Sequence, residues 1–383
     1  MIVKLGDICT IVSGSTPKST HAEYWDGEYN WITPAELNDD ASIIYTSQRK
    51  ITEQAINDSH LKSFPAGTVL LSSRAPIGKV AIAGVEMYCN QGFKNLICSE
   101  RVWNKYLFWF LKSKTEYLNS LGRGATFKEI SKEIVSNIEI PLSDFAEQQR
   151  IATILDNIAS LIDLHCKQME KLDELVKSRF VELFGTFPTN EKGWITGTIR
   201  DVISEARYGS SRPAVDGGQY PYLRMNNITY GGELDLSDVK RIDVPDNELE
   251  KCTVRRGDVL FNRTNSRELV GKTCVYNRDE MMVLAGFVIR VRVNSEVLPE
   301  FLSAFLNTDF SKQMLLGMCK TAIGQANINA QELQNISLYI PPINLQQKFV
   351  EFKAQVDKSK LAVQKSLDEL ETLKKSLMQQ YFG

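Results

Sequence analysis

The sequence predicts a protein of the α/β (α+β) class: two mixed α/β domains separated by two long antiparallel coiled-coil helices, with a pseudo-twofold internal repeat. Three observations predict it. A segment ending at Gly185 returns, ungapped, at the end of the chain. Each copy of that segment carries an apolar seam at alternating steps of three and four. The stretch ahead of each copy consists of short β-branched runs broken by Gly, Asn and Asp turns.

Taken in order, residues 1–145 form the first domain, with strand candidates Thr68-Val69-Leu70-Leu71 and Lys79-Val80-Ala81-Ile82 and a helix over 103–121. Residues 146–185 form the first long helix, which starts after the Ile140-Pro141 step as helices commonly do. Its seam is Ile151, Ile154, Ile158, Leu161, Leu172 and Leu175, interrupted by His165, Gln168 and Arg179, and Gly185 stops it. Residues 186–343 hold a linker and the second domain, with a strand at Val288-Ile289-Arg290-Val291 and a helix over 299–316. Residues 344–383 form the second long helix, with Phe349, Phe352, Val356, Val363, Leu370, Leu373 and Leu377 on its seam and Ser359 and Ser366 interrupting it.

The repeat has one offset. Gln148-Gln149-Arg150-Ile151 recurs as Gln346-Gln347-Lys348-Phe349, a shift of 198 (346 − 148), and the same shift carries Phe184-Gly185 onto Phe382-Gly383. Further upstream, Gly67-Thr68-Val69-Leu70-Leu71 is similar to Gly257-Asp258-Val259-Leu260-Phe261. A long helix with a half-apolar seam cannot bury that seam alone, and its best partner is its own repeat. At about 1.5 Å per residue such a helix is a rod of about 57 Å.

Composition narrows the function. No run of 18 apolar residues is present, so no membrane-spanning helix is expected, and the N-terminus lacks the apolar stretch of a signal peptide. Seven scattered cysteines without a C-x-x-C argue against a disulfide framework or a zinc site and for a reducing, cytoplasmic setting. Net charge is −2, and neither domain is basic: residues 1–145 carry 15 Lys/Arg against 16 Asp/Glu, residues 186–343 carry 18 against 19. A DNA footprint is local, however, and Arg255 to Arg292 holds eight basic residues against four acidic ones. Global acidity then implies that partners supply much of the phosphate contact.

Catalytic signatures are missing. The three histidines pair with no nucleophile at a familiar spacing, no G-x-x-x-x-G-K-[ST] loop occurs, and no methyltransferase tetrad is found. What recurs is chemistry suited to base edges and phosphates. Arg pairs with guanine and Asn or Gln with adenine, while Lys and Ser hold phosphates. The first domain offers Ser73, Arg74, Lys79, Asn90, Gln91 and Lys94, and the loop 122–128 adds Arg123 and Lys128. The second offers Arg224, Asn226, Asn227, Arg263, Asn265, Arg267 and Lys272, and the counterpart loop 321–327 adds Gln325. Taken singly, each cluster also fits a polar turn. Three readings stay open on these residues: a DNA reader, a stand-alone methyltransferase or nuclease, and a coiled-coil adaptor that binds protein only.

The chain resembles the specificity subunits of type I restriction–modification enzymes. The resemblance rests on Gly14-Ser15-Thr16-Pro17, Tyr24-Trp25-Asp26-Gly27 and Trp31-Ile32-Thr33-Pro34, and on Leu70 to Gly78 with Asn90-Gln91-Gly92-Phe93-Lys94 after it. It rests equally on Tyr222 to Ile228, Gly257 to Thr264 and both Gln-Gln helix starts. It implies two target-recognition domains that each read half of a bipartite site in double-stranded DNA, with the helix pair as a ruler. It also implies docking of two methylation subunits and of restriction subunits. No cofactor or metal is expected in this chain; S-adenosylmethionine, ATP and Mg belong to the partners. One departure is visible: Asn344-Leu345 stands where the first copy has the acidic Glu147 before Gln148.

Overall fold

The computed structural model describes residues 1–37, 42–74, 76–123, 128–322 and 325–383; at Lys320–Ala322 and Gln325 only the backbone is described. Two 40-residue helices, Phe145–Phe184 and Ile343–Phe382, dominate the chain, and their first and last residues are each 198 apart. The chain divides into two compact units, Met1–Lys167 with Gln364–Gly383, and Gln168–Val363. Each long helix therefore contributes residues to both units. No helix among the described residues is long and apolar enough to cross a membrane.

In the first unit, strand Ile2–Lys4 pairs antiparallel with Glu139–Pro141, closing the domain's two ends on each other. A five-stranded sheet runs in the order Cys9–Val12, Asn95–Cys98, Val69–Leu71, Val80–Ala83, Ile43–Ile44, and a three-stranded sheet joins Arg49–Ile51, Trp25–Ile32 and Tyr88–Cys89. Val69–Leu71 is buried at every position because it lies mid-sheet with both faces covered. Helix Asn104–Ser113 buries Tyr106, Phe108, Phe110 and Leu111 over that sheet. Phe382, at the end of the second long helix, enters the same core edge-on to Tyr106 (5.2 Å) and Phe110 (5.8 Å).

The second unit repeats the plan. Ile195–Thr198 pairs with Ser337–Ile340. One four-stranded sheet runs Ile203–Tyr208, Val288–Val293, Val259–Asn262, Thr273–Val275, and another Lys240–Ile242, Tyr220–Leu223, Met282–Leu284, Thr253–Val254. Phe180 and Phe184 of the first long helix pack with each other, with Phe301 and with Phe349 of the second helix at centroid distances of 4.8–5.8 Å. Such clusters, edge-to-face apart from the stacked Phe180–Phe301 pair, combine large buried area with a favourable quadrupole arrangement.

Within each unit the long helices run antiparallel: His165 meets Ser366 (3.1 Å) in the first, and Asp173 meets Lys360 (2.8 Å) and Arg179 meets the Phe352 ring (5.5 Å) in the second. Ile151, Ile158, Phe349 and Val356 are buried and Leu172 and Leu370 half-buried. Three expected seam positions are corrected. Leu161 (44% exposed), Leu175 (46% exposed) and Leu373 (47% exposed) face solvent, while Val176 packs on the second unit's core and Lys374 lies 5.4 Å from the Trp109 ring. Leu155 (0% exposed) replaces Ile154. The reason is geometric: a straight helix has 3.6 residues per turn and drifts from a strict seven-residue count by about 20° per heptad.

The helix starts are stapled identically. Gln148, wholly buried, accepts a hydrogen bond from Trp103 N (2.8 Å) and donates to Arg101 O and Ser143 O (3.0 Å each). Gln346, also wholly buried, accepts from Leu298 N (2.8 Å) and donates to Glu296 O (3.0 Å) and Pro341 O (2.8 Å). Gly185, at φ +81°, ends the first helix in the left-handed conformation that a side chain would disfavour.

Candidate nucleic-acid interface

In the first unit the site is assembled where three loops meet beyond strand Val69–Leu71. Ser72 Oγ donates to Pro76 O (2.7 Å) and accepts from Lys79 N (2.8 Å), shaping the turn that follows. Ser73 N donates to Gly92 O (2.7 Å), and Ser73 O accepts from Ile130 N (3.0 Å), so a single residue stitches all three loops. On this frame Arg74 Nε donates to Glu129 Oε2 (2.9 Å), while the buried Lys94 Nζ donates to Glu129 Oε1 (3.1 Å) and Ser73 Oγ (3.3 Å). Burial pushes the Glu129 carboxyl up, but the bonds and charges of Lys94 and Arg74 outweigh it and hold it below the usual carboxylate range. The Arg74 side chain remains 44% exposed.

The second unit builds the same corner with different residues. Arg263 N donates to Phe287 O (3.0 Å), and Arg263 O accepts from Ile328 N (2.9 Å), the stitch made by Ser73 in the first unit. Arg263 Nη2 donates to Asn327 Oδ1 (3.0 Å), and its guanidinium lies 4.8 Å from the Tyr208 ring centroid. Strand Thr264–Asn265 pairs with Gln325–Asn327, which fixes that approach. Glu129 and Asn327 are 198 residues apart (327 − 129), the repeat offset. Each unit thus presents an arginine held from the side by a residue at the same place in the repeat.

Several expected contact residues face inward. Lys79 Nζ donates to Leu37 O (2.6 Å), and its counterpart Lys272 Nζ donates to Met225 O (2.8 Å); burial pushes the Lys272 amine down. Both lysines tie the glycine turn to a 3-10 turn, Lys79 to the end of Pro34–Glu36 and Lys272 to Met225–Asn227. Lys94 and Ser73 are buried against Glu129 and each other. Asn227 is buried, accepting from Arg224 N (2.9 Å) and donating to Asp235 O (2.9 Å) and Asp238 O (3.1 Å). These five side chains, expected to contact DNA, are each hydrogen-bonded within their own domain. A turn side chain can satisfy a backbone carbonyl as readily as a phosphate, and burial favours the carbonyl.

The rest lie nearer the surface. Asn226, Arg123, Lys128 and Arg267 are exposed, and Asn265 is half-buried with Oδ1 accepting from Ser266 N (2.8 Å). Asn90 Oδ1 accepts from Gly92 N (2.9 Å), and the exposed Gln91 bonds Thr16. Arg224 is paired with Asp238 (2.8 Å). Residues 124–127, 323 and 324 and the Gln325 side chain lie outside the described residues. Sequence reasoning missed Glu129, Asn327, Tyr208 and Lys312. The offset of 198 was the signal for the first two. Lys312 donates to Gly271 O (2.7 Å), and burial together with the charge of Lys272 pushes its amine down to about 8.

Comparison with known proteins places these features in context. The model of the Type I restriction modification DNA specificity domain matches residues 1–174 and again 191–372. The MjaIX specificity subunit of Methanocaldococcus jannaschii is 36% identical over 260 residues, covering 62% of this chain and 60% of that protein. The EcoKI specificity subunit of Escherichia coli K12 is 23% identical over 410 residues, covering 100% of this chain and 88% of its own. Among solved structures, the S subunit from M. genitalium superposes with a TM-score of 0.59 at 15% identity, over 100% of this chain and 96% of that one. A chain from a type I R-M system studied for complex assembly and conformational transition gives 0.63 at 19%, over 100% and 97%. At those identities the superpositions speak for the fold.

Proposed function

The chain belongs to the family of type I restriction modification DNA specificity domains, and from that membership we propose that it is the sequence-reading subunit of a type I restriction–modification enzyme. Residues 1–145 and 186–343 act as two target-recognition domains, each reading one half of a bipartite target in double-stranded DNA. The helices 146–185 and 344–383 carry the docking surfaces for two methylation subunits and for restriction subunits. The chain itself is non-catalytic and works in the cytoplasm; S-adenosylmethionine, ATP and Mg act on the partners.

One observation carries this reading: each unit offers a loop arginine, Arg74 or Arg263, steadied by an acceptor at the same repeat position, Glu129 or Asn327. An arginine braced from one side keeps its remaining donors in a fixed fork, the geometry that pairs with guanine O6 and N7. Ser73, Lys79, Lys94, Asn227 and Lys272 then act as the frame. Arg123, Lys128, Asn226, Arg267 and Arg224, together with Asn90, Gln91, Asn265 and Gln325, are the remaining candidates for base and phosphate contacts.

The test is methylome sequencing of a host expressing this chain with its neighbouring methylation subunit, against the same host without the chain. A new modified motif in two parts, separated by unread bases, is the expected result. Absence of any new motif with the methylation subunit present and folded overturns the reading and leaves a protein-binding adaptor.

A further inference from the structure

Two of the seven cysteines are direct partners across a sheet. Cys9 on strand Cys9–Val12 is paired in register with Cys98 on strand Asn95–Cys98, followed by Thr10 with Ile97 and Ile11 with Leu96. Ser99 N donates to Ile8 O (2.9 Å), which makes Ile8 and Ser99 a hydrogen-bonded position of the ladder. Antiparallel positions alternate, so Cys9 and Cys98 occupy a non-hydrogen-bonded position, where Cα atoms are about 4.5 Å apart and side chains lie closest. A disulfide spans Cα separations of roughly 4.4–6.8 Å. The neighbouring Cys98, together with burial, pushes the Cys9 thiol up. Cys98 is the more accessible of the two, half-buried at the strand end beside the exposed Ser99 and Glu100.

We propose that Cys9 and Cys98 form an oxidisable dithiol site in the first domain, which takes a hydroperoxide as its oxidant and closes to an intramolecular disulfide. The Cys98 thiolate attacks the peroxide, the O–O bond breaks, and Cys98 becomes a sulfenic acid as one water leaves. The Cys9 sulfur then attacks the Cys98 sulfur, the S–O bond breaks, and the Cys9 proton leaves with the hydroxide as a second water. Two thiols are oxidised by two electrons and one hydrogen peroxide is reduced to two waters. The crosslink ties the sheet's edge strand to the strand that continues from Lys94, the residue that holds Glu129. The corresponding pair in the second unit is Ile203 with Val293, which has no such chemistry. The proposed crosslink therefore has no counterpart at the same place in the second unit. This inference stands apart from the DNA reading.

The experiment treats the full-length reduced chain with hydrogen peroxide and follows intact mass, free thiols and non-reducing peptide maps. The expected result is a loss of two hydrogens, a fall of two in free thiols, a peptide joining Cys9 to Cys98, and reversal by a dithiol reductant. Cys9→Ala is expected to halt Cys98 at a sulfenic acid that a dione reagent traps, and Cys98→Ala to leave Cys9 reduced. A parent chain that keeps both thiols, or that accumulates sulfinic acid at Cys98 with Cys9 present, overturns the proposal. So does a disulfide that survives in Cys9→Ala.

Discussion

Replacing Gln148 by Leu removes one amide and little volume, so its cost measures what that amide holds together. Gln148 is wholly buried and satisfies three backbone groups: the Trp103 N–H and the carbonyls of Arg101 and Ser143. The Trp103 N–H stands at the start of helix Asn104–Ser113, which has no side-chain cap of its own. Leaving that donor unpaired in the interior costs about 1–3 kcal/mol, and weakening two carbonyls near the surface adds a smaller share, for about 2–4 kcal/mol in all. For a unit of this size that corresponds to a melting point lower by roughly 5–12 °C. Gln346 makes the equivalent three bonds in the second unit, so Gln346→Leu is expected to cost the same within about 1 kcal/mol, and the two changes to add. Calorimetry of the full chain reads both. A Gln148→Leu chain that melts with the parent, or a large inequality between the two variants, refutes the staple.

The other predictions concern the arginine corners and the buried charges. Arg74→Ala or Arg263→Ala is expected to lose about 1–3 kcal/mol of discrimination at one base, read as a degenerate position in one half of the methylated motif only; loss in both halves would contradict separate reading. Lys at either position is not expected to restore the base, since it lacks the planar fork. Glu129 has a folded pKa below its unfolded value of about 4.3, so its contribution to stability is fully present above that pH and lost as pH falls through the folded value. Glu129→Gln is therefore expected to flatten the acid limb of the stability curve, and an unchanged limb would contradict the ion pairs. Glu205 pairs with the buried Arg290, and Glu205→Ala is expected to cost about 3–5 kcal/mol in denaturant titration by stranding that charge. Arg256→Ala, which breaks a pair exposed to solvent with Asp279, is expected to leave the midpoint in place.

What the sequence determined by itself is what repetition and periodicity encode. The offset of 198, the two long helices, their glycine stops and the paired Gln-Gln starts were legible because each is a pattern along one dimension. So was the mixed α/β class, from short β-branched runs between turns. Of the heptad positions, Ile151, Ile158, Phe349 and Val356 are buried, while Leu161, Leu175 and Leu373 fall on the exposed side, because helical drift accumulates with length. Only the tertiary structure decided the direction of the polar side chains. Lys79, Lys94 and Lys272 read like phosphate contacts, yet each lies beside an inward partner supplied by a distant loop: Leu37, Glu129 or Met225. The same holds for Arg74 and Glu129, 55 residues apart, and for Cys9 and Cys98, which became a pair only when two strands met in register. A polar side chain is turned inward or outward by the nearest unsatisfied partner, and that partner exists only once the chain has folded.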